Sequence, residues 1–572
     1  HMTIHNVEIA GYFDRLATLL EIEGANAFRV RAYRNAARLI EGHSEEMAAM
    51  LADGRDLSEL PGIGEDLAEK IATLVETGAL PLLDEVEQRV PRQLAELTRI
   101  EGLGPKRVQQ LYQALDIRSL EDLRRAVASG RVHELPGFGE KTEHLIQAGI
   151  ETLEGEEKRM RLADAEAIAE PLVEFLRGVE GVKAVTIAGS YRRAKETVGD
   201  LDILVTCRKD SPVMERFVEH EEVRQVVSHG TTRSTVYLRS GLQVDLRVLP
   251  AVSYGAALHY FTGAKAHNIA VRKRAVQRGY KINEYGVYQG KQRIAGKSEE
   301  AVFETVGLPW IPPELRENRG EIEAAEAGEL PTLVELEDIR GDLHCHTDAT
   351  DGQQDLETMA KAARQRGYDY LAITEHSQAV RVANGLDADR LLQQVDRIER
   401  LNEDIEGITL LKGVEVDILA DGRLDLADEV LARLDLTVCS IHSRFDLSEE
   451  KQTERVLRAM DNPHFTILGH PTGRMINARP GIALDMGRVL RGAAERGRVV
   501  EVNAQPARLD LTDAACMLAR EHGVKIAIST DAHAEGQLAF MRFGINQARR
   551  GWLSADDVIN TRDLAGLRYL IQ

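Results

Sequence analysis

The chain has 572 residues, of which 43% are hydrophobic and 29% charged, and its net charge is −21. At roughly 100–200 residues per domain this is enough for about three to five domains, and the balance excludes disorder or a collagen-like repeat as the main state. There is no apolar run of about 18 residues and no charged head before an apolar core, so neither a transmembrane helix nor a secretory leader is expected. His1-Met2 reads as a tag remnant. Cys207, Cys345, Cys439 and Cys516 form no CxxC pair, so a disulfide scaffold and a Cys-type zinc finger are excluded and a cytoplasmic setting is expected. The charge is uneven. Residues 1–320 carry −6 and 321–572 carry −15, while 251–300 hold nine Lys/Arg against three Glu, a local +6. An acidic chain can still bind a polyanion through such stripes and through cations that bridge carboxylates to phosphates.

Residues 3–150 read as short helices containing a repeat. Leu60-Pro-Gly62-Ile-Gly64, Ile100-Glu-Gly102-Leu-Gly104 and Leu135-Pro-Gly137-Phe-Gly139 share the form apolar-x-Gly-apolar-Gly at spacings of 40 and 35, each before a helical pattern. Two glycines permit a sharp turn whose N–H groups face outward at a helix start, a geometry that grips a phosphodiester without reading bases. One copy would be explained as a helix-capping turn; three favour repeated helix–hairpin–helix units.

From residue 180 the pattern becomes α+β, with strands over 183–188, 201–206, 235–238 and 242–248. Residues 255–310 return to helix and turn. The Pro-rich stretch ending at Pro313 and the acidic run after it read as a linker over 314–338. From 339, apolar runs ending at Leu343, Ile373, Val414, Ile441, Leu468, Val502 and Ile528 alternate with helical stretches, which predicts seven strand–helix repeats and a parallel barrel-like domain.

The first cluster of reactive groups lies on the α+β segment. Asp200 and Asp202 are two apart, so on a strand they share a face. Asp245 lies in a later strand, and if the strands are neighbours three carboxylates converge. Such a cluster repels itself unless divalent cations occupy it, and two Mg²⁺ or Mn²⁺ ions suit in-line phosphoryl transfer. Gly189-Ser190-Tyr-Arg192-Arg193 just upstream supplies Ser190 and Arg193 for a triphosphate. Together, Gly189, Ser190, Arg192, Arg193, Gly199, Asp200, Asp202 and Asp245 resemble the motif of a family X DNA polymerase of the beta type, a resemblance covering residues 3–310. It implies dNTPs as substrates and gapped or nicked DNA as partner. It implies that Tyr260, Phe261 and Gly263 form a steric gate against the ribose, and that Asn268 and Arg272 contact the nucleotide edge and the template. Lys265 replaces an acidic residue of the beta type and adds charge toward the triphosphate. In the N-terminal segment the resemblance implies that Arg29, Tyr33 and Arg34 bind a 5′-phosphate, that Gly62, Gly64, Gly102, Gly104, Gly137 and Gly139 form the DNA-gripping hairpins, and that Lys70 falls on a Schiff-base lysine. A lysine attacks an abasic aldehyde best with a depressed pKa, but Asp66 stands where the family has a supporting lysine, and a surface-lysine role competes.

The second cluster is His344, His346, Asp351, His376, Glu415, His442, His470, Asp531 and His533, each just past an apolar run. Residues after the strands of a parallel barrel gather at one mouth, and this N/O set suits Zn²⁺, Mn²⁺ or Fe. Nine ligands exceed one metal; three with bridging carboxylates fit. Asp348 competes with Asp351 for its place, and His267, His464 and His522 fit no ligand pattern. Residues 339–572 resemble a PHP (polymerase and histidinol phosphatase) domain, which implies a trinuclear phosphoesterase. The resemblance allots His344, His346, Glu415 and Asp531 to one metal, His442 with bridging Glu415 to a second, and Asp351, His376 and His533 to a third. Arg444 and Arg474 follow two ligands and are read as holding phosphate oxygens, against a surface role.

The expected architecture is therefore multidomain: a helical lyase-like domain (3–88), a helix–hairpin–helix domain (89–155), a nucleotidyltransferase palm (156–254), a thumb (255–313), the linker (314–338) and a (β/α)7 barrel-like PHP domain (339–572). The resemblance implies a cytoplasmic, monomeric gap-filling repair polymerase whose PHP site trims 3′ ends and possesses scope for 3′-phosphate or abasic-site cleavage. Two alternatives are a DNA-binding PHP phosphatase with a vestigial polymerase core, and a non-catalytic gap-recognising scaffold.

Overall fold

The computed structural model describes residues 4–155 and 159–572. The His1-Met2 remnant and the domain starts expected at 3 and 156 lie outside the described residues. The chain divides into two compact units, His1–Arg159 with the short segments His220–Val223 and Arg239–Gly241, and the remainder from Met160 to Gln572.

The first unit is helical from Asn6–Glu23 to Glu140–Gly155. Its three glycine turns are built alike. Ile63, Leu103 and Phe138 each donate a backbone N–H, at 3.0 Å, to the carbonyl three residues back. Gly62, Gly102 and Gly137 sit at φ of +83°, +87° and +85°, the left-handed third position of a type II turn. The intervening Ile63, Leu103 and Phe138 side chains are buried and anchor each turn. Gly64 and Gly104 then start the helices Glu65–Thr77 and Pro105–Leu115 without a side-chain cap, leaving first-turn N–H groups for another acceptor.

In the second unit, five strands form a sheet in the order Val182–Ile187, Asp200–Cys207, Gln243–Val248, Arg233–Leu238, Val223–His229. The last of these is absent from the sequence reading because six of its seven residues are exposed; an edge strand with no buried face has no alternation to detect. The thumb carries helices Tyr254–Thr262 and Lys265–Gln277 and an antiparallel meander, Lys281–Asn283, Gly286–Gln289 and Gln292–Ala295, whose short strands were read as turns.

The linker expected over 314–338 is corrected. It folds into the helix Glu321–Ala327 between short 3-10 turns, and Leu315, Ile322, Ala325 and Leu333 pack into the thumb core. Its charges misled the composition argument because several are internal. Arg316 is fully buried and donates to Glu299 at 2.5 Å and to the Ile311 carbonyl at 2.8 Å. Glu321, also buried, accepts from the Asn318 and Arg319 amides and meets His267 Nδ1 at 2.8 Å.

Seven strands from Gly341–Asp342 to Ile526–Ser529 then pair in sequence order, all parallel. A parallel bridge between Cys345 and Ala532 brings the first and last strands together, so the sheet is a nearly closed barrel with all strand C-termini at one mouth. The cysteines form no disulfide among the described residues.

Glu299 joins Arg316 to Arg192, which grips it at 2.7 and 2.9 Å. Burial alone would raise this carboxyl, but the two guanidiniums hold it far below the usual carboxylate range. Its contribution is thus full above the unfolded glutamate pKa and is lost as pH falls below it. Glu299→Gln leaves two guanidiniums without their counter-charge and should cost about 3–5 kcal/mol, read as a lower urea midpoint at pH 7 with a smaller deficit at pH 3.

Candidate active sites

In the palm, strands Asp200–Cys207 and Gln243–Val248 run parallel in a register that sets Asp202 beside Asp245. Asp200 shares that face, and one oxygen from each carboxylate lies within 4.8 Å of the others. Asp245 is buried and accepts from the Thr235 hydroxyl and from Gln243 Nε2 at 3.2 Å. Arg247 Nη1 donates to Asp202 at 3.1 Å and its guanidinium lies 4.1 Å from the Phe261 ring centre. Burial, with repulsion from Asp200 and Asp245, pushes Asp202 up to about 6 even so. Gly189 is required beside it: at φ +65°, an added Cβ would come within 3.1 Å of Asp202 Oδ2. These groups fit a divalent cation, which would remove the repulsion that raises Asp202.

Arg193 does not stand free for a triphosphate. It is buried, its Nε donates to Glu317 at 2.7 Å and its Nη1 to the Thr262 carbonyl at 2.8 Å. The turn after Tyr260 and Phe261 is fixed by Asn268, which donates to the Tyr260 carbonyl at 2.7 Å. A Cβ on Gly263 would meet Asn268 Oδ1 at 2.4 Å. Ser190 is half-buried, and Lys265 and Arg272 are exposed.

In the N-terminal unit the phosphate-binding assignment needs two corrections. Tyr33 is buried and stacks on Phe13, so it serves the core. Arg34 is held by Glu21 at 2.9 Å. Arg29 is exposed, and beside it Phe28, 77% exposed, lies under the Arg31 guanidinium, a pair that helical periodicity does not single out. Lys70 donates to Asp66 at 2.5 Å, so its amine is committed to a carboxylate.

At the barrel mouth everything converges on Glu415, which is 1% exposed. Its Oε1 lies 3.1, 3.2 and 3.3 Å from His344, His346 and His376, and its Oε2 lies 3.1 and 3.0 Å from His442 and His470. Asp531 Oδ1 faces His344 and His346 at 3.2 and 3.0 Å. Asp351, rather than Asp348, takes the place opposite His376 and His533, both at 3.2 Å. Three overlapping groups have metal-ligating spacing: His344, His346, Glu415 and Asp531; His376, Glu415 and His442; and His346, Asp351, His376 and His533.

The donor set fits cations. Buried Nδ1 atoms of His346, His376 and His470 have no hydrogen-bond partner, an arrangement unfavourable unless another acceptor of lone pairs is present. Burial opposes charge on His346, yet Asp531, Glu415 and Asp351 carry it up to about 10; His442 rises likewise to about 9 beside Glu415 and Asp417. Asp351 and Asp531 are held well below the usual range by their imidazoles despite burial. Cations bound here would compete with protons for these donors.

Two supporting carboxylates escape the sequence reading. Glu501 Oε2 lies 2.6 Å from His344 Nδ1 while Glu501 Oε1 accepts from the His470 amide; Asp417 Oδ1 lies 2.6 Å from His442 Nδ1. Each fixes the ring whose other nitrogen faces Glu415. Their signal was a charge inside an apolar strand, Val499-Val-Glu501-Val and Glu415-Val-Asp417. Arg444 remains exposed on the rim. Arg474 is corrected: it donates to both oxygens of Glu196, at 3.1 and 2.6 Å, and to the Arg508 and Leu509 carbonyls, so its planar fork is already filled.

Fold and geometry define a class: a sheet bearing three clustered carboxylates and a helical subdomain, joined to a parallel barrel whose mouth carries groups with metal-ligating spacing. The comparisons agree in chain order, with a helix-hairpin-helix domain matched over residues 4–80, a SAM-like helix-hairpin-helix tandem over 94–152, a DNA polymerase beta palm over 159–247, a DNA polymerase beta thumb over 257–317 and a PHP domain over 342–495. The chain is 37% identical to the DNA polymerase/3′-5′ exonuclease PolX of Bacillus subtilis (strain 168), over 100% of both chains. It is 29% identical to a probable phosphatase of Thermoanaerobacter sp. (strain X514), over 38% of this chain and 89% of that one, and 30% identical to one from Caldanaerobacter subterraneus, over 34% and 75%. The chain belongs to the PolX family, the family X DNA polymerases that carry a PHP domain. Among the described residues no helix is long and apolar enough to cross a membrane.

Cation uptake by the stripped chain at pH 7 should release protons, since His346 and His442 must become neutral to ligate. Calorimetry in two buffers of different ionisation enthalpy measures this, with Glu415→Ala as the control that binds fewer ions. Uptake without proton release contradicts the assignment.

Proposed function

We propose that the chain fills short DNA gaps, its palm adding deoxynucleotides to a primer 3′ end and its PHP barrel trimming 3′ ends first as a 3′-5′ exonuclease. The observation that carries this reading is the full-length 37% identity to a protein named as both polymerase and exonuclease, supported by groups of residues with metal-ligating spacing at both sites. When bound, Mg²⁺ or Mn²⁺ in the palm and up to three Zn²⁺, Mn²⁺ or Fe ions in the barrel would supply charge neutralisation at phosphorus and activation of the attacking oxygen.

The chain's own residues supply the rest. Asp200, Asp202 and Asp245 hold the palm cations. Gly189 and Ser190 cradle the triphosphate, and Arg193 moves from Glu317 toward it. Tyr260, Phe261 and Gly263 exclude a ribose 2′-hydroxyl, Asn268 and Arg272 read the nucleotide edge and template, and Lys265 adds positive charge. The hairpins at Gly62/Gly64, Gly102/Gly104 and Gly137/Gly139 grip the backbone through exposed N–H groups, with Arg29 near a 5′ end. Lys70 enters only as a weak lyase nucleophile, its amine engaged by Asp66. In the barrel, His344, His346, Asp351, His376, Glu415, His442, His470, Asp531 and His533 hold the ions, with Arg444 placed for a phosphate oxygen. Removal of 3′-phosphates and cleavage at abasic sites are further substrates of the same centre. The candidate ligands of each site come from one chain, which supports a monomer, and a DNA substrate supports a place at the nucleoid in the cytoplasm. A phosphatase with a vestigial polymerase core is disfavoured by the palm match and the intact carboxylates.

Asp245→Ala should lower gapped-primer extension by on the order of 10²–10³-fold or more, the scale of losing one group that stabilises developing charge, and leave 3′ trimming in place. His344→Ala should do the reverse. Extension and trimming assays on one 3′-labelled gapped duplex measure both. Normal extension by Asp245→Ala would remove the palm assignment.

A further inference from the structure

The palm and the barrel meet through buried charges. Arg550, at the end of helix Met541–Arg550 in the barrel domain, is only 2% exposed. Its Nη1 donates to the backbone carbonyl of Arg193 at 3.0 Å and to Glu317 Oε1 at 3.1 Å, and its Nη2 donates to Asp513 at 2.7 Å. Glu317 Oε1 is the same oxygen that receives Arg193 Nε. Arg319 completes the group at 2.8 Å from Asp513. A second contact lies nearby, where Arg474 from the loop after His470 grips Glu196, four residues before Asp200. Leu509 and Phe543 of the barrel pack with Leu162, Ala165 and Val198 of the palm.

A tether between domains does not need a buried arginine, whose desolvation is costly unless every donor is satisfied. The charges of this cluster indicate a purpose. Three guanidiniums (Arg193, Arg319, Arg550) face two carboxylates (Glu317, Asp513). One positive charge is therefore in excess, next to the turn that begins at Gly189 and Ser190. If Arg193 leaves Glu317 to meet a triphosphate, Glu317 keeps Arg550 as its partner. Without Arg550, the same movement would strand a buried carboxylate, which costs the full desolvation of that group.

We infer that Arg550 of the barrel domain is a positioning residue for nucleotide binding in the palm: it holds the Arg193 carbonyl and takes over Glu317 when the Arg193 side chain turns to the triphosphate. The inference rests on the polymerase reading above. It makes the barrel a working part of the polymerase site, in addition to its own chemistry.

The test uses the full chain and steady-state single-nucleotide insertion into a gapped duplex, with trimming of a single-stranded oligonucleotide measured on the same preparations. Arg550→Gln should raise the KM for dNTP at least about tenfold, the scale of a charged hydrogen bond lost from a buried partner, with kcat and trimming little changed. Adding Glu317→Gln to that variant should bring KM back toward wild type, because no carboxylate is left to strand. An unchanged KM in Arg550→Gln, or a double variant as impaired as the single one, overturns the inference. Should Arg550→Gln lose trimming as well, its fold is compromised and Glu317→Gln alone decides. A KM at or below wild type supports the inference, and a tenfold rise overturns it. Wild-type protein that inserts no nucleotide would instead remove the polymerase reading itself.

Discussion

One buried carboxylate, Glu415, meets five imidazoles, and the barrel is arranged around that meeting. Three rings face one oxygen and two face the other, all between 3.0 and 3.3 Å. The five rings come from the ends of four strands, His344 and His346 sharing the first, so only a parallel barrel with its C-terminal edges at one mouth brings them together. Glu501 and Asp417 then set the angles of His344 and His442 from behind. A site this dense in ionisable groups is unfavourable without compensating charge, and its geometry distributes that charge over three overlapping ligand groups that share Glu415, His346 and His376.

The palm solves the same electrostatic problem with fewer groups. Burial, with repulsion from Asp200 and Asp245 on two adjacent strands, raises Asp202 to about 6, and Arg247 offsets part of it from one side. The two sites are joined by structure that serves neither chemistry alone. Arg474 sits four residues past His470 yet binds Glu196 in the palm, and Arg550 reaches the backbone of Arg193. A domain boundary drawn by motif therefore crosses a set of buried ion pairs.

Much of this was legible in the sequence where periodicity and residue chemistry reinforce each other. The seven apolar runs ended within a few residues of the observed strand ends, because each buried parallel strand is a continuous apolar run. Asp200 and Asp202 shared a face because strand alternation requires it. What the sequence concealed were partners distant in the chain. The resemblance sets Tyr33 at a 5′-phosphate with Arg29 and Arg34, but its buried ring stacks on Phe13. Arg474 followed a ligand and so read as a phosphate contact, while its partner lay 278 residues away. The acidic stretch after Pro313 read as a linker, and only the fold reveals that its Arg316 pairs with Glu299 and its Glu321 with His267 in the interior.

The central claim is that the Glu415 centre is a multi-cation site assembled by the barrel. Anomalous diffraction from crystals soaked in Mn²⁺ tests it most directly. The account predicts anomalous peaks within ligating distance of Glu415, one shared with His344, His346 and Asp531 and another with His376 and Asp351 or His442. Crystals that show no peak at the barrel mouth, with the imidazoles still paired to Glu415 and Asp531 as before, would contradict it.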